Sequence, residues 1–181
     1  MANKKHGGGQ EEEMAKAIHE YYRRLCREKG WPVKYDVDYT ELPDEIKADN
    51  LAAAARIQDV LSNAGLVVIP DDYPDNSVRI YYKTSTSAVA HEDYHLDAGI
   101  GSKILEDNIE LLAEAEHNGW MKQKYRSGWV YGTPRDDNRK IHDALIPYKD
   151  LREEDKEKDR NAVRSYPEIV KIAGRKIVHG K

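Results

Sequence analysis

The segment EHNGWMKQKYRSGWVYG, Glu116–Gly132, sets a helical stretch directly before an abrupt break. Its first part has helix-forming residues with His117 and Trp120 three positions apart, close to one helical turn. Gly128 then stands where a helix commonly ends, because glycine adopts the left-handed conformation without steric cost. The segment therefore predicts a helix that stops at Gly128, followed by a turn that begins with Trp129.

An earlier segment repeats this arrangement. HEYYRRLCREKGW, His19–Trp31, also begins with a histidine and ends in a Gly-Trp pair, and 117 − 19 and 129 − 31 both equal 98. Farther along, Tyr39 corresponds to Tyr148 and Gly65 to Gly174, with 148 − 39 and 174 − 65 both equal to 109. The change of offset means that the second copy holds 11 additional residues after its Gly-Trp pair.

The two related helical hairpins predict how the chain folds. A single hairpin cannot bury its apolar face alone, so two of them are expected to pack as a pseudo-twofold pair. The fold class is then α+β, predominantly α, with two pseudo-symmetric helical-hairpin halves and short β-strands. The alternative is a chance similarity between two amphipathic hairpins. The predicted organisation is a flexible tail at 1–13, a first half at 14–70, a connecting β and loop segment at 71–103 and a second half at 104–181.

Hydrophobic periodicity predicts the individual elements. Helices are expected at 14–29 and within 40–65, and a single long helix at 104–126. LVVIP, Leu66–Pro70, predicts a short strand, and the alternating SVRIYYK at 77–83 predicts a second strand that pairs with the first.

Composition excludes several classes of protein. The 181 residues are 39% apolar and 34% charged, with a net charge of −4, which argues against general nucleic-acid binding. No apolar run approaches the roughly 20 residues of a transmembrane helix, and the N-terminus lacks the apolar core of a signal peptide. Cys26 is the only cysteine and has no disulfide partner within the chain, which favours a reducing cytoplasmic location.

The second half resembles the RyR domain, the module that occurs as tandem repeats in ryanodine receptors and in small bacterial and phage proteins. The resemblance lies in EHNGWMKQKYRSGWVYG, DDNRKIHDALIPYKDL and EKDR. One departure is Asp143, where the family usually has proline. The matching residues are His117, Trp120, Gly128, Trp129, Tyr131, Gly132, Lys140, His142, Leu145, Pro147, Tyr148 and Leu151. The first half resembles a degenerate copy that lacks the Tyr-Gly and Lys-x-His motifs.

The resemblance implies an α-rich, non-enzymatic module without a cofactor. In the receptors the domain is a peripheral scaffold element, whereas in bacterial and phage proteins it is suspected of sensing a small, nucleotide-derived ligand. We therefore expect a binding module for a small anionic ligand, with a protein-interaction or scaffold role, or self-association, as the alternative.

The residues after Trp129 are the predicted binding site. Aromatic rings can stack on a planar group, and arginine, lysine and histidine can bind a phosphate or carboxylate. The two tryptophans are equally suited to anchoring helices, and the cations to a solvated loop, so both interpretations stay open. The candidate residues are Trp120, Trp129, Tyr131, Arg135, Lys140, His142 and Tyr148.

HEDYH, His91–His95, matches the zinc-peptidase pattern His-Glu-x-x-His. On a helix, His91 and His95 would share a face and could bind zinc, with Glu92 as general base and Glu114, 19 residues beyond, as a third ligand. Asp93 argues against this interpretation, because such helices usually carry an apolar residue there. A zinc hydrolase is the least favoured of the three functions.

Overall fold

The computed structural model describes residues 8–73, 78–83, 89–95 and 98–180. The predicted α+β, predominantly α class is confirmed. The helices are α1 (Gly8–Lys29), α2 (Asp44–Ser62), α3 (Ala98–Asp107), α4 (Ile109–Arg126) and α5 (Glu153–Ile172), with short 3-10 helices at Tyr39–Glu41 and Tyr148–Asp150. The strands are β1 (Leu66–Pro70), β2 (Val78–Lys83), β3 (Val89–His95), β4 (Val130–Tyr131), β5 (Ile141–His142) and β6 (Arg175–Gly180).

Four helices enclose the main core. Helix α1 packs on α2 and α4 packs on α5, while α1 also contacts α5 and α2 contacts α4. Burial of their apolar faces supplies the principal stabilisation. Among the described helices, none has both the length and the apolar composition that crossing a bilayer requires. Large side chains with almost no exposed surface include Leu61, Leu112, Val163 and Val170.

Matching hydrogen bonds occur in the two halves at the offsets found in the sequence. His19 Nε2 lies 2.7 Å from the Val37 carbonyl oxygen. His117 Nε2 lies 2.8 Å from the Ile146 carbonyl oxygen. The histidines are 98 residues apart and the carbonyls 109. Two backbone hydrogen bonds also recur. The bond from Trp31 N to the Cys26 carbonyl corresponds to that from Trp129 N to the Lys124 carbonyl. The bond from Leu42 N to the Tyr39 carbonyl corresponds to that from Leu151 N to the Tyr148 carbonyl.

The central strand pair has the same symmetry. Strands β1 and β6 are antiparallel, and Val68 is paired with Ile177, the residue 109 positions later. The register is therefore symmetric about this pair, so that one half's strand lies against its counterpart. Val67, Ile69 and Val178 form a buried cluster in these strands. The sheet continues in the order β1-β6-β3-β2.

The predicted pairing of the first two strands is wrong. β2 pairs with β3, and the partner of β1 is β6. Sequence proximity favoured a hairpin, whereas packing of the two halves brings β1 and β6 together and buries apolar residues of both.

Two predicted helix boundaries also change. Helix α1 begins at Gly8, so residues 8–13 of the predicted flexible tail are helical, while residues 1–7 lie outside the described part of the chain. The long helix predicted at 104–126 is divided into α3 and α4 at Asn108. The Asn108 side chain donates to the Ile104 carbonyl at 2.8 Å, which illustrates how asparagine competes with regular helical bonding.

Candidate functional site

The 11 additional residues lie within a small β-structure. We call residues 129–142 the insertion loop. β4 and β5 form a parallel pair, with Val130 N donating to the Lys140 carbonyl at 2.9 Å. Asp136 and Ile141 exchange two backbone hydrogen bonds of 2.9 and 2.8 Å. Lys140 has φ 54°, a left-handed conformation that is uncommon outside glycine and is here held by the flanking bonds.

An aromatic cluster attaches this loop to α4. The Trp120 ring lies between two histidines, 5.5 Å from the His117 ring and 4.9 Å from the His142 ring. Trp129 is 6.0 Å from His142, and Tyr148 is 6.1 Å from His117. The structure therefore brings together four of the seven predicted site residues, Trp120, Trp129, His142 and Tyr148.

His117 is the member of the cluster whose surroundings favour the protonated form. It is 2% exposed, and its Nδ1 lies 3.1 Å from Asp159 Oδ2 while its Nε2 faces the Ile146 carbonyl. Burial opposes the charge, but the hydrogen bonds to Asp159 and Ile146 outweigh it, so the pKa of His117 is raised above its ordinary value. Because both ring nitrogens face acceptors, the imidazolium form satisfies both bonds.

His142 has the opposite preference. Burial, and then the nearby Arg135 charge, lower the pKa of His142. Its Nδ1 accepts the Ala144 backbone N–H at 3.1 Å, which requires that this nitrogen carry no proton. The two rings that flank Trp120 therefore favour opposite protonation states.

Acidification is expected to loosen the insertion loop. The lowered pKa of His142 means that its contribution to stability is full above about pH 6.5, the unfolded-state value, and is lost as the pH falls from there through the lowered folded-state pKa. The protection of the Ala144 amide against exchange, measured relative to the intrinsic base-catalysed rate at each pH, should fall between pH 7 and 5, and Trp120 fluorescence should change. His142→Asn keeps an acceptor for the Ala144 N–H without titrating, so it should abolish both changes. Identical pH profiles in the two proteins would contradict this role.

The predicted cations differ in their availability. Arg135 forms a bidentate pair with Asp137, at 2.6 and 3.1 Å. Lys140 Nζ donates to the Ser127 carbonyl at 2.8 Å, and Lys124 Nζ lies 4.7 Å from the Trp129 ring centroid. Among the residues whose side chains are described, no carboxylate lies within 4.0 Å of Lys124, Arg139 or Lys140.

Exposure further divides the predicted residues. Tyr131 is 55% exposed and can present a ring face to solvent. Tyr148 is 7% exposed and its hydroxyl donates to Glu110 at 3.1 Å. Burial and then this carboxylate raise the pKa of Tyr148 to about 12. Tyr148 and Trp120 thus support the cluster from inside, while Trp129, Tyr131 and the loop cations border the surface.

A second feature, which the sequence interpretation missed, is a groove between α2 and α4. It has a cavity of about 380 Å³, lined by Ala52, Ala55, Arg56, Asp59, Val60, Asn63, Ala115, Gly119, Lys122, Gln123 and Arg126. The Arg56 guanidinium crosses it, donating to Glu116 at 3.1 Å and to Gln123 at 3.0 Å. A Cβ at Gly119 would collide with Arg56 Cδ, so glycine is what lets this side chain cross.

The histidine motif lies on a strand. His91–His95 forms the end of β3, where residues four apart are about 13 Å from each other along the chain. The helical spacing on which the zinc interpretation depended is therefore not present. Glu114 is an exposed residue of α4.

The fold and the aromatic cluster together define a class: an α-rich module of two corresponding helical hairpins, one of which carries an extra aromatic loop. Residues 102–179 match the family model of the RyR domain. The match covers the insertion loop and both helices of the second hairpin, and it confirms the resemblance seen in the motifs.

Proposed function

We propose that this RyR-domain protein is a non-enzymatic binding module for a small anionic ligand, with nucleotide-derived molecules as the leading class. The observation that carries the proposal is the insertion loop and the adjoining end of α4, where Lys124, Arg139 and Lys140 lie near the rings of Trp129 and Tyr131 and have no carboxylate within 4.0 Å among the described side chains. Phosphate would bind the cations, and a base would stack on the exposed Tyr131 face. Arg135 would join only by exchanging Asp137 for the ligand.

The first half supports placing the binding site in the insertion loop, because the first half has no such loop. We infer that it is a degenerate copy of the RyR unit, because its hydrogen bonds recur at the sequence offsets. It lacks the 11 loop residues, and its Trp31 is 56% exposed. The loop that covers Trp129 is thus specific to the second half, where function is proposed to reside.

Nucleotide binding should raise the melting temperature. AMP or ADP at about 100-fold above its Kd would add about 2.7 kcal/mol of stability. For a chain of this size that corresponds to a rise of roughly 5–10 °C. Arg135→Ala combined with Lys140→Asn should remove the rise, since asparagine tolerates a positive φ but supplies no charge. Thermal shift and calorimetry would measure both effects.

The matched control removes two exposed cations elsewhere, Lys149→Ala with Lys171→Ala, and should keep the nucleotide effect. No stabilisation by AMP, ADP or related nucleotides would refute the proposal. An equal rise in the loop variant would place any binding outside the insertion loop.

A scaffold role is the second candidate. Tyr125, Val130 and Tyr131 are 52, 53 and 55% exposed, a group of large side chains that could meet a protein surface. Sedimentation velocity distinguishes the roles: a dimer that Val130→Asp converts to a monomer would favour association over nucleotide binding.

A further inference from the structure

The groove between α2 and α4 lies on a different side of α4 from the insertion loop. Lys122 and Arg126 line the groove, whereas Lys124, two positions from each, lies over Trp129. Residues two apart on a helix are separated by about 200°, so these cations serve different surfaces. The groove is therefore a separate site from the one proposed above.

The groove holds charges of both signs that are not paired with one another. In the described part of the chain, no oppositely charged group lies within 4.0 Å of Lys122, Arg126 or Asp59. Asn63 adds a polar side chain at its border, and Ala52, Ala55, Ala115 and Gly119 leave space between the helices. None of the described residues that line the cavity is aromatic, so ring stacking is not the means of recognition that this lining supports.

The corresponding position between α1 and α5 is filled by side chains instead of forming an open groove. The counterpart of Lys122 is Arg24, 98 positions earlier, and that of Asp59 is Glu168, 109 positions later. Arg24 and Glu168 form a salt bridge of 3.2 Å. Tyr21 occupies the position of Gly119 and packs against the core. A tyrosine and a direct ion pair thus fill one groove, while a glycine and separated charges leave the other open.

We propose that the α2–α4 groove binds a small molecule that carries both an anionic group and an amine. The anion, a phosphate or carboxylate, binds Lys122 and Arg126. The amine binds Asp59, and this contact corresponds to the ion pair that Glu168 forms with Arg24 in the other groove. Arg56, already engaged by Glu116 and Gln123, forms the polar floor. The cavity of about 380 Å³ is within the usual size of small-molecule sites.

Phosphoethanolamine and ethyl phosphate are a matched pair of probes, because they differ in the terminal amine. Calorimetry on the full chain should show phosphoethanolamine binding about fivefold more tightly, as expected of one partly exposed ion pair. Asp59→Asn should remove this difference and leave ethyl phosphate binding unchanged. Lys122→Ala with Arg126→Ala should weaken both probes at least about tenfold.

Lys149→Ala with Lys171→Ala removes the same charge elsewhere and should leave both affinities as in the parent. Circular dichroism checks that each variant is folded, and all the changed side chains are exposed. Absence of phosphoethanolamine binding would overturn the proposal, as would equal binding of the two probes or affinities unchanged in the groove variants. These outcomes are independent of the nucleotide test, whose variants lie in the insertion loop.

Discussion

Replacing Arg56 by methionine should destabilise the protein by about 3–5 kcal/mol, the cost of leaving a buried partner charge unpaired. Arg56 and Glu116 have side chains that are only 14 and 11% exposed and lie 3.1 Å apart. Glu116 also accepts the Tyr166 hydroxyl at 2.5 Å, and Tyr166 is 4% exposed. This network joins α2, α4 and α5, so its loss weakens the contact between the two halves.

The control for this experiment is the double variant Arg56→Met with Glu116→Gln. A neutral glutamine can still accept the Tyr166 hydroxyl, so the double variant should recover much of the loss. Urea unfolding with the midpoint and slope measured separately would report both values. A cost below about 1 kcal/mol for the single variant would show that the pair is not the buried connection described.

His117→Leu should cost about 3 kcal/mol, because it leaves both the Asp159 carboxylate and the Ile146 carbonyl without their buried partner. His19→Leu is the matched control at the corresponding position. His19 also bonds a carbonyl, that of Val37, but Asn50 stands where the second half has Asp159, 109 positions later. The control should therefore cost only about 1 kcal/mol, and equal losses would contradict the special role of the Asp159 pair.

The His117 effect should also depend on pH. Its pKa is raised in the folded state, so its contribution is full below about pH 6.5 and is lost as the pH rises through the raised value. The stability difference between the parent and His117→Leu should therefore shrink toward alkaline pH. Taking the difference at each pH cancels titrations common to both proteins, and a constant difference would contradict a charged His117.

Several features followed from the residue pattern alone. Glycines at corresponding positions predicted the ends of the helices, and Gly30, Gly65, Gly128 and Gly174 all have positive φ, as helix-ending glycines do. The offsets of 98 and 109 also located the insertion, because an extra segment shifts all later correspondences equally. Signals of this kind depend on local backbone preferences and on spacing along the chain, so they can be recognised without knowing which distant residues pack against them.

Strand pairing could not be read in the same way. β1 and β2 are adjacent in sequence, yet β1 pairs with β6. The hydrophobic pattern of a strand specifies which of its faces is buried, but it does not specify the neighbouring strand. The packing of distant elements determines which strands pair. The histidines of β3 show the same limit, since the spacing that suggests zinc on a helix has no such meaning on a strand.

The sequence by itself predicted two corresponding hairpins, a resemblance of the second half to the RyR domain and an aromatic insertion after Trp129. Those features are set by residue type and spacing along the chain. Only the tertiary structure decided which side chains are exposed and which are engaged by neighbours: Asp137 engages Arg135, Tyr148 is buried, and Gly119 opens a groove across which Arg56 reaches Glu116. The physical reason is that availability depends on ion pairs and burial between helices far apart in sequence.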